Sequence, residues 1–157
     1  MKTLLTVLYI MGCTDMLLAC SRSYIPGEAA EHGGVVDLHG EITNAGRLEV
    51  FLDNVKKHHE DNIRITQYTI EGDPIYIDLT HNGEKVEYKF DNTEDAYGDG
   101  KVSTGSCKGF GKDNIEVNYG AITEQKSEYH LIECSGKSTD MVDAFRVTVP
   151  QEPADAE

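Results

Sequence analysis

The chain has 157 residues, with 28 Asp and Glu against 14 Lys and Arg, and a formal charge of −14 at pH 7. That balance excludes nucleic acid as a partner, because such binding rests on neutralising phosphates with Lys and Arg; anionic lipid headgroups are repelled in the same way, and cations or a basic partner are favoured. The residues that follow the N-terminal leader, about 130 of them, suffice for one modest core and are too few for two domains.

Lys2, the apolar run Leu4 to Met11 and a second apolar patch at Met16 to Ala19 have the layout of a secretory signal. The run is too short to span a bilayer, which takes roughly 20 apolar residues. Leu17-Leu18-Ala19-Cys20 resembles the lipobox of bacterial lipoproteins. The expectation is therefore that residues 1–19 are a signal peptide, that Cys20 carries lipid, and that residues 20–28 tether the domain to the outer face of the cell membrane. Anchoring would come from acyl chains, at about 0.8 kcal/mol per buried methylene. Asp15 interrupts the apolar region, and Ile10-Met11-Gly12-Cys13 makes Cys13 a rival lipid site with a leader of only twelve residues. Lys2 and Asp15 cancel, so the whole negative charge belongs to the mature part.

Cys13 leaves with the signal and Cys20 is acylated, which leaves Cys107 and Cys134 as an even pair in an oxidising compartment. A disulfide between them closes a loop of about 27 residues, worth about 3 to 4 kcal/mol in the chain-entropy model. Metal-ligand spacings such as CxxC are absent from the sequence, which disfavours zinc.

In chain order, Pro26 opens a brief helical turn through Ala29, Ala30 and Glu31, and Gly33-Gly34 ends it. Val35, Val36 and Leu38 read as an edge strand or extended lead-in. The clearest helix follows: Asn44 is placed to cap it, and Leu48, Phe51, Leu52 and Val55 recur at i, i+3, i+4 and i+7 as one apolar stripe. Asp53 and Lys57 form an i, i+4 pair, and Lys56, Lys57, His58 and His59 suit the negative end of the helix dipole.

From Ile63 the period becomes two, and a slip at Gln67-Tyr68 suggests a bulge or bend. Glu71-Gly72-Asp73-Pro74 is a turn by composition. Asn82-Gly83 predicts a two-residue hairpin turn, which sets Leu79 opposite Val86, Ile77 opposite Tyr88 and Ile75 opposite Phe90 on the core face. It also sets Asp78 opposite Glu87. Ile115, Val117, Tyr119 and Ala121 alternate, Tyr129 to Cys134 is partly apolar, and Phe145, Val147 and Val149 alternate up to Pro150. Residues 150–157 read as an acidic tail with nothing to bury. The expected fold is a single α+β domain over 29–149, one main amphipathic helix packed on a mostly antiparallel sheet of five or six strands.

"VVDLHGEITN", a helix ending in "FLDNVK", "IRITQYTIEGDPIYIDL", "NGEKVEYKFDNTEDAYG" and two late cysteines together resemble a family of small lipoproteins from Bacillus-like Gram-positive bacteria, known as a domain of unknown function. The resemblance runs from about Ala29 to about Gly136 and is weakest over Val117 to Lys126. It implies a lipid-anchored extracytoplasmic domain and carries no catalytic residues.

Three residue sets bear on function. Asp91, Thr93, Asp95 and Asp99 match the early ligand positions of a calcium loop, but Ala96 replaces its glycine and Val102 its closing glutamate, so the match favours a solvated acidic loop over calcium. Arg64, Thr66 and Tyr68, on one strand face beside Glu71 and Asp73, would suit a small anion or a peptide. They would equally suit an internal ion pair from Arg64 to Glu71 or Asp73. His32, His39, His58, His59, His81 and His130 have no metal-ligand spacing, and Ser103, Ser106 and Ser127 lie in no nucleophile motif. No cofactor is expected. The reading favoured is a non-enzymatic, membrane-anchored module that binds a protein or small ligand at the envelope through the sheet's polar face or the loop from Asp91 to Lys101. An envelope-acting hydrolase and a weak calcium-binding surface protein are the alternatives.

Overall fold

The computed structural model describes residues 26–136 and 145–151. The expected signal peptide, Cys13, Cys20 and most of the acidic tail lie outside the described residues. Among the described residues there are two helices, α1 (Pro26–Glu31) and α2 (Gly46–Lys56). Eight strands follow the chain: β1 (Val35–Leu38), β2 (Glu41–Thr43), β3 (Asp61–Tyr68), β4 (Pro74–His81), β5 (Val86–Asp91), β6 (Val102–Tyr119), β7 (Ile122–Gly136) and β8 (Arg146–Pro150). They form one sheet in the order β2-β1-β3-β4-β5-β6-β7-β8, curled into a nearly closed barrel-like shape. The α+β expectation of one main helix on five or six strands is thus corrected. The protein is mostly sheet, and its longest elements are the two β-strands that sequence periodicity resolved least.

The barrel curls around α2. Leu48, Phe51 and Leu52 of that helix belong to one buried core with Val35 of β1 and inward residues of β3 to β8, including Ile63, Ile65, Leu79, Tyr88, Phe110, Tyr129, Leu131 and Val147. Phe51 meets Phe110 edge-on with ring centroids 5.3 Å apart, and Phe110 stacks on Tyr129 at 6.0 Å. The helix packs on both β3 and β6. Those strands are separated by β4 and β5, or about 14 Å in a flat sheet, so one helix reaches both because the sheet curves.

Asn44 does not cap α2. The cap position is Ala45, without a side-chain hydrogen bond. Asn44 takes a left-handed conformation with φ 58° and turns its amide to the Ala30 and Gly34 carbonyls, both at 2.9 Å, tying α1 to the start of β1. At the other end, His58 supplies the left-handed residue (φ 57°) that ends a helix, with its N–H on the Val55 carbonyl.

β1 is an interior strand and not an edge, parallel to β3 on one side and antiparallel to β2 on the other. The slip at Gln67-Tyr68 is not a bulge, since β3 pairs without a break from Asp61↔His81 to Tyr68↔Pro74. Thr66 and Tyr68 are buried on the outer face because α1 covers them, with Ala29, Val36 and Tyr68 forming a second small cluster.

The β4–β5 register differs from the expected one by two residues: Leu79 faces Tyr88 and Ile77 faces Phe90. The loop is four residues long because the Asn82 side chain accepts the Glu84 and Lys85 amides, both at 3.1 Å. A shift of two keeps every side chain on its face, so Ile77, Leu79, Val86 and Tyr88 remain inside. It also replaces the like-charged Asp78/Glu87 pair by Asp78 opposite Lys89, with Arg64 on its other side, an arrangement that cross-strand electrostatics favours.

Beyond Cys107, β6 leaves β5 and pairs with β7 alone. The ladder skips the Lys108/Glu133 pair, where Glu133 is left-handed at φ 47°. The Cys107–Cys134 disulfide stands directly beside this irregularity, as cysteine counting anticipated. Tyr88 lies across Gly105 and Gly136 so closely that a Cβ on either glycine would come within 2.5 Å of its hydroxyl. Pro150 closes β8 and the Gln151 amide bonds the Gln125 carbonyl, so the fold runs two residues past Val149.

Candidate functional site

Arg64, Thr66 and Tyr68 do share the outer face of β3; Tyr68 ends the strand opposite Pro74, beside the turn that carries Glu71 and Asp73, whereas Arg64 lies four residues back along it, opposite Asp78. Arg64 forms a two-pronged pair with Asp78, at 2.6 and 2.8 Å, and lies over the Tyr76 ring. The expected pairing with Glu71 or Asp73 is absent from these contacts. Under α1, Arg64 and Thr66 line a cavity of about 260 Å³ together with His32 and Gly34. Thr66 is 1 % exposed, and its hydroxyl has no hydrogen-bond partner among the described residues. Glu71 and Asp73 lie past the end of β3, away from Arg64.

They belong to the loop end of the barrel. The Thr69 amide bonds the Asp73 carbonyl, and the Asp73 amide bonds the Thr69 hydroxyl, closing the β3–β4 turn. An Asp73 carboxylate oxygen accepts the Ala96 amide at 2.9 Å, which ties this turn to the β5–β6 loop. His39, at the β1–β2 turn, reaches the Thr69 carbonyl at 2.8 Å. Three loops are thus stitched side by side. From them Ile70 and Tyr97 project 89 % and 82 % exposed.

The acidic loop is organised by Asn92, which is buried. Its side-chain oxygen accepts the Lys101 amide at 2.7 Å and its nitrogen donates to Asp99 at 2.8 Å. Asp91 takes Lys89 and Thr93, Asp95 takes the Tyr97 amide, and Asp99 takes Lys101. Each carboxylate of the calcium-like set therefore faces its own partner. Among the described residues no group of three or more His, Cys, Asp or Glu side chains is placed to hold a metal ion.

A third feature had no motif to announce it. Glu49, in the first turn of α2, accepts hydrogen bonds from the Lys112 ammonium and the Tyr129 hydroxyl, both at 2.5 Å. Lys112 and Tyr129 face each other across β6 and β7. These three residues line a cleft of about 650 Å³ between the start of α2 and strands β6, β7 and β8. Glu49 in the first helical turn was the one visible signal; its partners lie 63 and 80 residues away.

Several carboxyls are held below their ordinary range. The Lys112 ammonium, then the Tyr129 hydroxyl, lower Glu49; burial raises Asp61, but hydrogen bonds from Arg47, Asn54 and the Asn62 amide outweigh it. Lys89 and Thr93 bring Asp91 down to about 2. Burial, then Glu49, pushes the Tyr129 hydroxyl up. In the unfolded chain these carboxyls titrate at about 4, so their contribution to stability is complete above about pH 4.5 and is lost as the pH falls through the lower folded values. Thermal melts are expected to be level from pH 7 to about 5 and to fall steeply toward pH 2. A Glu49→Gln/Asp61→Asn variant should show a shallower acid limb; an unchanged limb would refute the assignment.

A barrel-like β protein with a stitched loop end and a polar mouth is the class these features define. The chain belongs to a family described as a domain of unknown function (DUF4362), whose family model matches residues 32–120. No curated protein and no solved structure matches the chain. Among the described residues no helix is long and apolar enough to cross a membrane.

Proposed function

We propose that this protein is a membrane-tethered extracytoplasmic module that binds a partner and does not catalyse a reaction. In this reading residues 1–19 are removed, Cys20 carries the acyl chains, and the loop end is the contact surface. The observation that carries it is the stitching of three loops by His39 and Asp73, which holds Ile70 and Tyr97 outward on a fixed support. Exposed apolar side chains on rigid loops lower the ordering cost of association, and a tyrosine is a frequent energetic anchor of interfaces. Glu71 follows Ile70, and Glu94 and Asp95 precede Tyr97 in the same loops, so a basic protein surface is the complementary partner.

Intact-mass analysis of the membrane fraction from a Gram-positive host tests the tether. The expected species starts at a diacylated Cys20 and contains the Cys107–Cys134 bridge; cytosolic chain with its leader retained would overturn the reading. An Ile70→Ser/Tyr97→Ser variant is expected to change stability by no more than about 0.5 kcal/mol. It should also lose at least tenfold in the yield of partner crosslinked at the cell surface. Undiminished crosslinking would place the contact surface elsewhere.

A further inference from the structure

The inward positions of β6 and β7 change character along the strands. Phe110, Tyr129 and Leu131 belong to the core, and the next inward positions toward the hairpin tip are Lys112, Asn114 and Ser127. Inward positions that simply extended the core would be apolar. Here the register Lys112↔Tyr129 and Asn114↔Ser127 builds two adjacent polar rows facing the start of α2. Gln151, just past β8, donates to Asn114 Oδ1 at 2.7 Å and to Ser127 Oγ at 3.3 Å. Val149 and Pro150 supply an apolar wall beside these groups.

We infer that this barrel mouth is a binding site for a neutral, hydroxyl-rich ligand, a saccharide of one or two rings. The volume of about 650 Å³ suits a small ligand. The charges argue for neutrality, because the Glu49 carboxylate and the Lys112 ammonium already satisfy each other and a net charge on the ligand would meet no uncompensated opposite. The remaining hydrogen-bonding groups alternate in kind. The Asn114 amide nitrogen and the Ser127 hydroxyl can donate, while the second Glu49 oxygen and the Gln151 carbonyl oxygen can accept. Sugar hydroxyls do both and match such a mixed set. The Val149 and Pro150 wall offers a surface for the C–H face of a ring. The inference is independent of lipidation at Cys20.

The test is saturation-transfer NMR on the full chain with glucose and N-acetylglucosamine as probes, and with acetate and methylammonium as charged controls. The expected result is transfer to at least one sugar and none to either ion, with amide shifts confined to residues around Asn114, Ser127 and Gln151. Gln151→Ala, an exposed residue beyond the last strand whose side chain bonds Asn114 and Ser127, should weaken sugar binding at least tenfold while lowering the melting temperature by only about 3 °C. Asn114→Leu should do the same. Absence of transfer to both sugars, equal transfer to the ions, or sugar affinity unaltered in both variants would each overturn the assignment.

Discussion

Phe51→Ala is expected to cost about 3 to 5 kcal/mol, the range for deleting a buried aromatic ring, and to lower the melting temperature by about 10 °C or more. Phe51 is fully buried at the centre of the barrel and touches Phe110 edge-on, which in turn stacks on Tyr129. Removing the ring leaves a void bounded by elements that are held apart by their own ladders, so the walls have little freedom to close it. The α2 helix also loses its main attachment to β6. Chemical denaturation with the midpoint read by both circular dichroism and tyrosine fluorescence measures the effect. A loss below about 1 kcal/mol would mean that the helix does not fill the barrel.

The second large effect is expected from Cys107→Ala/Cys134→Ala. Their sequence separation of 27 gives a loss of about 3 to 4 kcal/mol from the unfolded-state loop alone. Both residues pack on the core, and Cys107 is buried within it. The bridge stands where β6 parts from β5 and where the ladder skips Lys108/Glu133, a point at which the two strands have fewer backbone bonds to keep them aligned. Wild-type protein unfolded in urea with and without reductant should show the same shift of midpoint as the double variant. Equal midpoints for oxidised and reduced protein would show that the ladder alone fixes the strands.

How much of this was legible depended on distance along the chain. The stripe Leu48, Phe51, Leu52 and Val55 identified α2 because a helix writes its face within a few residues. The strand pattern at Ile77, Leu79, Val86 and Tyr88 identified the core face because alternation survives a register shift of two. The register itself was not readable, since it turned on whether Asn82 closes a turn with its backbone or with its side chain. Only parts of the long strands β6 and β7 were legible, at Ile115 to Tyr119 and Tyr129 to Cys134, because their inward positions mix Phe110 with Lys112 and Asn114 and their corner interrupts the period. Outward burial misled in the same way: Gln67-Tyr68 looked like a slip because α1, which hides Tyr68 on the outer face, lies more than thirty residues earlier.

The sites follow the same rule. Cys107 and Cys134 could be paired by elimination. Arg64 and Thr66 were rightly put on one face, yet the carboxylate that Arg64 selects is Asp78, on the neighbouring strand. Asp73 serves a loop amide and not a guanidinium. The Glu49, Lys112 and Tyr129 set joins three elements that approach each other only when the sheet closes, and no local pattern encodes that meeting.

The family match stops at residue 120, the tip of the β6–β7 hairpin. A polypeptide truncated at that boundary would keep Cys107 as an orphan thiol and would leave the inner side of Phe110 without Tyr129, Leu131 or Val147 to cover it. The matched segment is therefore not a self-sufficient folding unit in this protein. Its autonomy is borrowed from the returning half of a ribbon that the shared pattern does not include.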